Sequence, residues 1–311
     1  MSHTATATAP ANARPIAPQP IGPGSLTWRA LGDRRYFLVL PQAFVMQVAH
    51  PVIDAGVGEH SSYRSDPWGR AERSVRLLWP VIYARPDEAI RKGHELREMH
   101  RQIKGRMASG ERYHALDPEA YGWVHGTGFY TSLKMYEVFD RPLAADQRQA
   151  LFREWRQIGS MLGIRDQDLP RSEADYWDYF NDMIEHRLQW GPVLADLLSE
   201  DFYYQQPKPP GKLFQGLPDW LWRSSIRPAA RRFELITRAT LPANFRRRFD
   251  IPYSPADEQR FQRLRALLRS MARLTPTPLR YIPLARAAIR DAARHPEAYR
   301  YDGASNNGRS A

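Results

Sequence analysis

The sequence contains no cysteine, and this absence removes several kinds of chemistry together. Disulfide bonds, zinc-thiolate sites, iron–sulfur clusters and thiolate nucleophiles all require cysteine side chains. Any metal that the chain binds therefore needs a ligand other than a thiolate. The absence also fits a reducing compartment.

A signal peptide and a long apolar run are also missing. The segment up to Gly24 is rich in Ala, Pro and Thr, without the basic start and the apolar stretch of a secretory signal. No window of about 18 consecutive apolar residues exists, which excludes a spanning helix. We therefore expect a cytoplasmic protein whose only contact with a membrane would be peripheral.

Lysine is scarce, because only five of the 45 basic residues are lysine and arginine supplies the rest. The formal charge is +11 and the isoelectric point is near 10.0. This balance predicts an arginine-coated surface, with an anionic membrane or an acidic partner as the alternative reading. We predict no nucleic-acid partner, and the oligomeric state stays open.

Several catalytic signatures are absent as well. The sequence has no Gly-x-Gly-x-x-Gly, P-loop, Gly-x-Ser-x-Gly or His-Glu-x-x-His motif, which argues against nucleotide, elbow-serine and zincin chemistry. A di-iron bundle needs two Glu-x-x-His pairs on facing helices. Only Glu111 to His114 has that spacing, directly after a glycine.

Helical periodicity is present almost throughout, and it predicts an all-α protein with one large domain and a cofactor pocket between core helices. We predict a disordered tail over 1–25, a helical core over 26–200, a basic helical extension over 201–295 and a second disordered tail over 296–311. A glycine turn is expected over 55–61. Helices are predicted over 31–50, 69–79, 86–107, 119–139, 142–162, 173–190, 220–241, 256–274 and 279–293.

Helical geometry sorts the nine histidines, since each residue advances about 100° around the axis. On the helix that begins at Pro86, His100 lies about 40° from Leu96, at the edge of an apolar stripe that continues through Ile103 and Met107. His100 is therefore predicted to point inward. His94 lies about 160° from Leu96 and is predicted to face solvent.

On the next helix, His125 lies within a stripe that contains Tyr121, Gly128 and Phe129. A hydrogen-bonded core histidine would give the same pattern as a cofactor ligand, so both readings stay open for His100 and His125. His50 and His60 flank the predicted glycine turn, where a capping role and a site role are both open.

Arg70, Arg73 and Ser74 stand at i, i+3 and i+4, which places two guanidinium groups and a hydroxyl on one helical face. Such a face suits an anion, the carboxylates of a cofactor, or dioxygen bound to a metal. A solvated basic face is the other reading.

Taken in order, these residues resemble the MpaB-type oxygenase family, which includes the latex-clearing rubber oxygenases. The resemblance covers residues 31–190. It rests on Val48-Ala49-His50-Pro51, Gly56 to Ser61, Asp66-Pro67, Arg73-Ser74, His100, Asp117-Pro118 and Trp123-Val124-His125.

The resemblance implies an all-helical domain that encloses one haem b and activates dioxygen. By motif, His100 would be the proximal iron ligand, and Arg70, Arg73 and Ser74 would match the distal Arg-x-x-Lys-Thr turn. Arg73 departs from this pattern, because a guanidinium stays protonated and is a poor metal ligand. Asp54 and Glu59 are the carboxylates nearest to the position of the rubber enzymes' catalytic acid.

Without a secretion signal, rubber is a poor candidate substrate, and a small lipophilic molecule fits better. We therefore expect a haem b-dependent oxygenase that uses dioxygen and a small lipophilic substrate, with His125 as the second choice of ligand. One alternative is a haem-free binding protein that attaches to membranes or acidic partners through its arginine surface. Another keeps the haem but acts as a peroxidase or a dehydrating enzyme.

Overall fold

The computed structural model describes residues 18–301, and helices dominate this part of the chain, which confirms the all-α prediction. The first helices are α1 (Leu26–Gly32), α2 (Tyr36–Val48), α3 (Pro51–His60), α4 (Pro67–Tyr83), α5 (Pro86–Arg101), α6 (Pro118–Phe139) and α7 (Ala145–Met161). The later helices are α8 (Glu173–Asp182), α9 (Pro192–Leu198), α10 (Glu200–Tyr204), α11 (Lys212–Gln215), α12 (Asp219–Thr240), α13 (Ala243–Arg248), α14 (Pro255–Leu274), α15 (Thr277–Arg280) and α16 (Pro283–Arg294).

Several helices begin at side-chain caps that the sequence predicts. Asp66 accepts a hydrogen bond from the Gly69 amide at 2.9 Å, and Asp117 accepts one from the Ala120 amide at 3.0 Å. In both cases a proline follows the cap, where its missing N–H costs nothing. The two Asp-Pro pairs therefore fix the starts of α4 and α6.

The glycine turn predicted over 55–61 is wrong, because this segment belongs to α3. Pro51 ends α2 as expected, but it also occupies the first turn of α3, where proline is well tolerated. Gly56 and Gly58 then lie inside the helix. Pro80 likewise does not end α4, which continues to Tyr83.

The helix predicted over 86–107 is too long. It ends at Arg101, and a two-stranded antiparallel hairpin follows, formed by β1 (Lys104–Arg106) and β2 (Arg112–His114). Gly110, with φ +86°, occupies the turn between the strands. The expected apolar stripe therefore breaks after Met99, since its later members lie beyond the helix.

The aromatic segment predicted as one helix over 173–190 is shorter as well. Helix α8 ends at Asp182 and passes into a π-helical turn over Met183–Arg187. Single-turn 3₁₀ helices occur at Asp166–Asp168 and Pro296–Tyr299.

The core is built around α6, whose side chains Trp123 and Phe129 are fully enclosed. Helix α2 packs along α6, and α4 packs along α5. Within the described chain, the buried apolar residues divide into two clusters. The larger one surrounds α2 and α6, and the smaller one joins α4, α5 and α7 around Leu96 and Met161.

The basic extension packs on this core. Ala285 and Ala292 of α16 are buried, and Asp291 pairs with Arg85 in the connection between α4 and α5 at 3.1 Å. The inner face of α16 therefore packs against the rest of the fold. Part of the predicted tail over 296–311 forms the 3₁₀ turn described above, and the rest lies outside the described residues.

Most of the predicted tail over 1–25 also lies outside the described residues. Its last part contacts the core, because Ile21 is buried and its carbonyl accepts the Trp28 indole N–H at 2.8 Å. Over residues 18–301, no single helix is long and apolar enough to cross a membrane. The pair α2 and α3 reaches the length together but bends by 109° between them.

Candidate functional site

Two of the residues singled out by sequence, Arg70 and His100, lie at the same end of a helical hairpin. Helices α4 and α5 are joined by two residues and run antiparallel, so Arg70 and His100 each lie about four turns from the connection. Arg70 also donates to Ser61 at 2.9 Å, which brings the end of α3 to the same place. The hairpin after α5 closes the group, because Tyr113 donates to Glu59 at 2.5 Å.

His100 is the best-placed candidate ligand. Its Nδ1 lies 2.8 Å from the Leu96 carbonyl oxygen one turn earlier in α5. Since a carbonyl can only accept, Nδ1 donates, and in the neutral ring this tautomer leaves the lone pair on Nε2. Nε2 has no hydrogen-bond partner in the described part of the chain. The ring is half-buried and meets Tyr121 edge-on, with centroids 5.8 Å apart.

This arrangement has the features of a haem ligand. Histidines that bind a metal usually donate their second nitrogen to a carboxylate or a backbone carbonyl, which fixes the tautomer and the ring orientation. The Leu96 carbonyl serves that purpose for His100. Its prediction as an inward-facing residue is met only in part, because the ring is half-buried.

His125 has a different environment. The ring is buried and stacks flat on Trp155, with centroids 4.7 Å apart. Nε2 lies 2.9 Å from the Trp155 carbonyl, and the Trp155 indole donates back to the His125 carbonyl at 2.9 Å. Burial lowers the pKa of His125 to about 4, so the ring is neutral. These contacts describe a hydrogen-bonded core histidine.

Gly159 has no side chain, and the His125 ring occupies the space where one would lie. A Cβ atom at this position would lie 2.8 Å from His125 Nε2 and 2.9 Å from Leu169. The ring is therefore enclosed by α7, with Trp155 against its face and Gly159 beside Nε2.

His50 and His60 lie at opposite ends of α3, about 15 Å apart along the helix, so they do not close one turn. The Val52 amide donates to His50 Nδ1 at 3.3 Å, and Nε2 lies 3.2 Å from Glu119. Burial lowers the pKa of His50, although the hydrogen bond to Glu119 acts in the opposite direction. His50 caps α3, as the capping reading predicted. His60 is more exposed and lies 3.8 Å from Glu59.

Arg70, Arg73 and Ser74 do not present one common face. The Arg70 guanidinium lies 4.0 Å above the Phe44 ring, and burial lowers its pKa to about 10, so it stays charged at neutral pH. Arg73 is exposed and binds Asp66 at 2.9 Å. The Ser74 hydroxyl donates to the Arg70 carbonyl at 3.0 Å. Of the three, only Arg70 is directed toward the core.

The two candidate carboxylates, Asp54 and Glu59, have different surroundings. Asp54 accepts the amides of Val193 and Leu194 at 2.9 and 3.3 Å and so caps α9. Burial raises the pKa of Asp54, although these amides act in the opposite direction. Glu59 instead lies beside the hairpin, at the end of α3 that approaches Arg70.

The lining of this region is apolar but not closed. None of the ten residues of α3 is buried, although Val52, Ile53 and Val57 are apolar. On α6, Val124 is 39% exposed, and it stands three residues after the His100 neighbour Tyr121. Helices on a protein surface normally bury such residues against the core, and here Ile53 and Val57 contact it but stay half-buried. A large apolar group that covers this lining fits the residues present, and haem is such a group.

Sequence reasoning missed Tyr113 and Tyr121 as members of this region, and Glu119 as the partner of His50. The turn residues around Gly110 indicate a hairpin, and that signal could have located Tyr113. Glu119 follows the Asp117 cap, in the first turn of α6, where carboxylates are favoured by the helix dipole.

Other features lie away from this region. A cavity of about 550 Å³ is lined by Gln189, Trp190, Arg248, Phe249 and Asp250, and includes none of the predicted site residues. Across the described ranges, no group of three or more His, Cys, Asp or Glu side chains could hold a metal ion by itself. A haem iron needs only one protein ligand, so this finding leaves the assignment of His100 unchanged.

Comparison with known proteins identifies the family of this chain. The chain is 24% identical over 246 residues to the uncharacterized proteins Mb2261 of Mycobacterium bovis and Rv2237 of Mycobacterium tuberculosis, which covers 77% of this chain and 90% of each relative. No solved structure matches the chain. The family model described as "ER-bound oxygenase mpaB/B'/Rubber oxygenase, catalytic domain" matches residues 28–270. The chain therefore belongs to the family of MpaB and rubber oxygenase catalytic domains.

Proposed function

We propose that this chain is a haem b-dependent oxygenase that uses dioxygen to oxidise or cleave a small lipophilic substrate. Its membership of an oxygenase family supports the reaction class. The observation that carries the haem assignment is the orientation of the half-buried His100 ring, whose Nδ1 is held by the Leu96 carbonyl and whose Nε2 has no hydrogen-bond partner among the described residues.

Haem, when bound, supplies the binding and activation of dioxygen that protein side chains alone cannot perform. His100 would hold the iron through Nε2. The hydrogen bond to Leu96 keeps the ring from rotating and makes the imidazole a stronger donor. Val52, Ile53 and Val57 of α3 would cover the apolar part of the macrocycle and keep water away from it.

Arg70 is the cation that we assign to the site. It is charged, half-buried and held between Ser61 and Phe44, so it would bind an anionic propionate of the haem or donate a hydrogen bond to the dioxygen substrate at little cost in side-chain entropy. Arg73 and Ser74 act on Arg70 indirectly. Arg73 fixes the loop between α3 and α4 through Asp66, and Ser74 binds the Arg70 carbonyl.

Glu59 is the carboxylate that we assign to proton transfer, because Tyr113 positions it at the end of α3 near Arg70. Asp54 is committed to the cap of α9 and is left out of the proposal. The apolar lining favours a small lipophilic substrate over a charged one.

Absorption spectra of the full chain test the haem assignment. Protein expressed with a haem supply should carry a Soret band, and His100→Ala should lose most of the bound haem. His94→Ala is the matched control, because His94 is exposed on the same helix and should leave the spectrum unchanged. His125→Ala should lower stability while the remaining folded protein still binds haem.

Two outcomes would contradict the proposal. If His100→Ala keeps a normal spectrum and His125→Ala loses it, the ligand assignment is wrong. If the wild-type protein is colourless and takes up no added haemin, the haem assignment is wrong, and pelleting of that protein with anionic liposomes would favour the haem-free binding protein. Dioxygen uptake with candidate lipophilic substrates then separates an oxygenase from a haem peroxidase or dehydrating enzyme, since only the first consumes dioxygen with its substrate.

A further inference from the structure

The most exposed aliphatic side chains of the described residues fall in one short segment. Leu267, Met271, Leu274 and Leu279 are 56%, 56%, 83% and 62% exposed. Three of them belong to α14, and the fourth lies in α15 directly after it. A cluster of this kind on a protein surface usually marks an interaction site, because isolated exposed apolar residues are more common than neighbouring ones.

Contacts on one face of α14 orient the helix, so its exposed apolar side chains lie on the opposite face. Phe261 is buried on the inner face. Arg265 donates to the Glu137 carbonyl at 2.9 Å, and Arg269 donates to the Val138 carbonyl at 2.9 Å, at the end of α6. The apolar contact and the two hydrogen bonds leave the opposite face of α14 to solvent.

The outward face forms a stripe along the helix. Relative to Leu267, Met271 lies about 40° away, Leu274 about 20° and Arg263 about 40°. The stripe is therefore apolar toward the end of α14 and basic toward its middle.

The chain segment that carries the stripe is strongly basic. Residues 260–294 contain nine arginines and a single acidic residue, Asp291, which is paired with Arg85. Arg263 and Arg273 are exposed and have no hydrogen-bond or ion-pair partner among residues 18–301. This concentration accounts for much of the +11 charge of the chain.

We propose that the α14–α15 stripe binds the surface of an anionic phospholipid bilayer. Exposed leucines and methionine would enter the boundary between headgroups and acyl chains, while the arginines contact the anionic headgroups. A second copy of the chain is a poorer occupant, because two equally basic surfaces repel each other.

Sedimentation with vesicles tests this proposal on the full chain. The protein should pellet with vesicles that contain about one third phosphatidylglycerol in phosphatidylcholine, and much less with phosphatidylcholine alone. Raising the salt concentration should weaken the binding, since screening reduces the attraction between exposed charges. The triple variant L267S/M271S/L274S should bind the anionic vesicles at least about tenfold more weakly. Circular dichroism checks that this variant keeps the wild-type fold.

A charge-matched pair of variants separates a local site from general basicity. R263E/R273E should lower binding at least about tenfold. R153E/R171E changes the net charge equally at exposed arginines outside the stripe and should bind like the wild type. The proposal is wrong if the wild-type protein does not pellet with anionic vesicles, if both double variants lose binding equally, or if the stripe variants abolish a dimer while vesicle binding is absent.

Discussion

Replacing Gly93 by alanine tests how α5, the helix that carries His100, is held. A Cβ atom at Gly93 would lie 3.1 Å from the Met161 carbonyl carbon and would overlap its oxygen. Because this neighbour is backbone, α5 and α7 must move apart. Overpacking of this kind costs about 1–3 kcal/mol, while alanine in place of glycine inside a helix gains about 0.5–1 kcal/mol. The net change expected is a loss of about 0.5–2 kcal/mol.

Gly128 provides the matched control. It lies inside α6, and a Cβ atom there would meet nothing within 4 Å, so Gly128→Ala should stabilise the protein by about 0.5–1 kcal/mol. Urea denaturation of both variants should therefore give a difference of about 1–3 kcal/mol in the free energy of unfolding. Equal stabilities would refute the close approach of α5 to α7. Because the shift also moves His100, Gly93→Ala should retain less haem than the wild type.

Two further predictions concern buried polar groups. Burial holds the pKa of His125 at about 4, below 6.5 for the unfolded chain, so its contribution to stability is complete above pH 6.5 and lost as the pH falls toward 4. Unfolding measured across this window should show a loss of about 3 kcal/mol that His125→Gln lacks, and equal slopes would contradict the assignment. Asp33 is fully buried between Arg35 and Arg280, so Asp33→Asn should cost about 2–4 kcal/mol in thermal or urea unfolding. The surface pair of Asp168 is the control, and Asp168→Asn should cost less than about 1 kcal/mol.

The helical architecture was predictable because local signals agree with it. Asp66 and Asp117 form side-chain caps before proline, and these caps are read directly from the sequence. The errors arise where one residue type permits two structures. Pro51 both ends α2 and begins α3, and Gly56 is tolerated inside a helix when a neighbour packs against it. The hairpin after α5 was not predicted, because strands of only three residues are too short to show an alternating pattern.

The candidate site was predictable only in part. A helical wheel brings both His100 and His125 inward, but it cannot show which nitrogen each ring uses. The Leu96 carbonyl and the Trp155 carbonyl make that distinction, and both depend on three-dimensional packing. Likewise, the spacing of Arg70 and Arg73 suggests one shared face, whereas Asp66 draws Arg73 away from it.

The assignment of His100 as the haem ligand is tested most directly by His100→Gly with and without added imidazole. We expect this variant to lack the wild-type Soret band, and imidazole to restore it as a saturable function of concentration, because the free base replaces the missing side chain. A His100→Gly protein that shows the wild-type spectrum without imidazole would contradict the central claim.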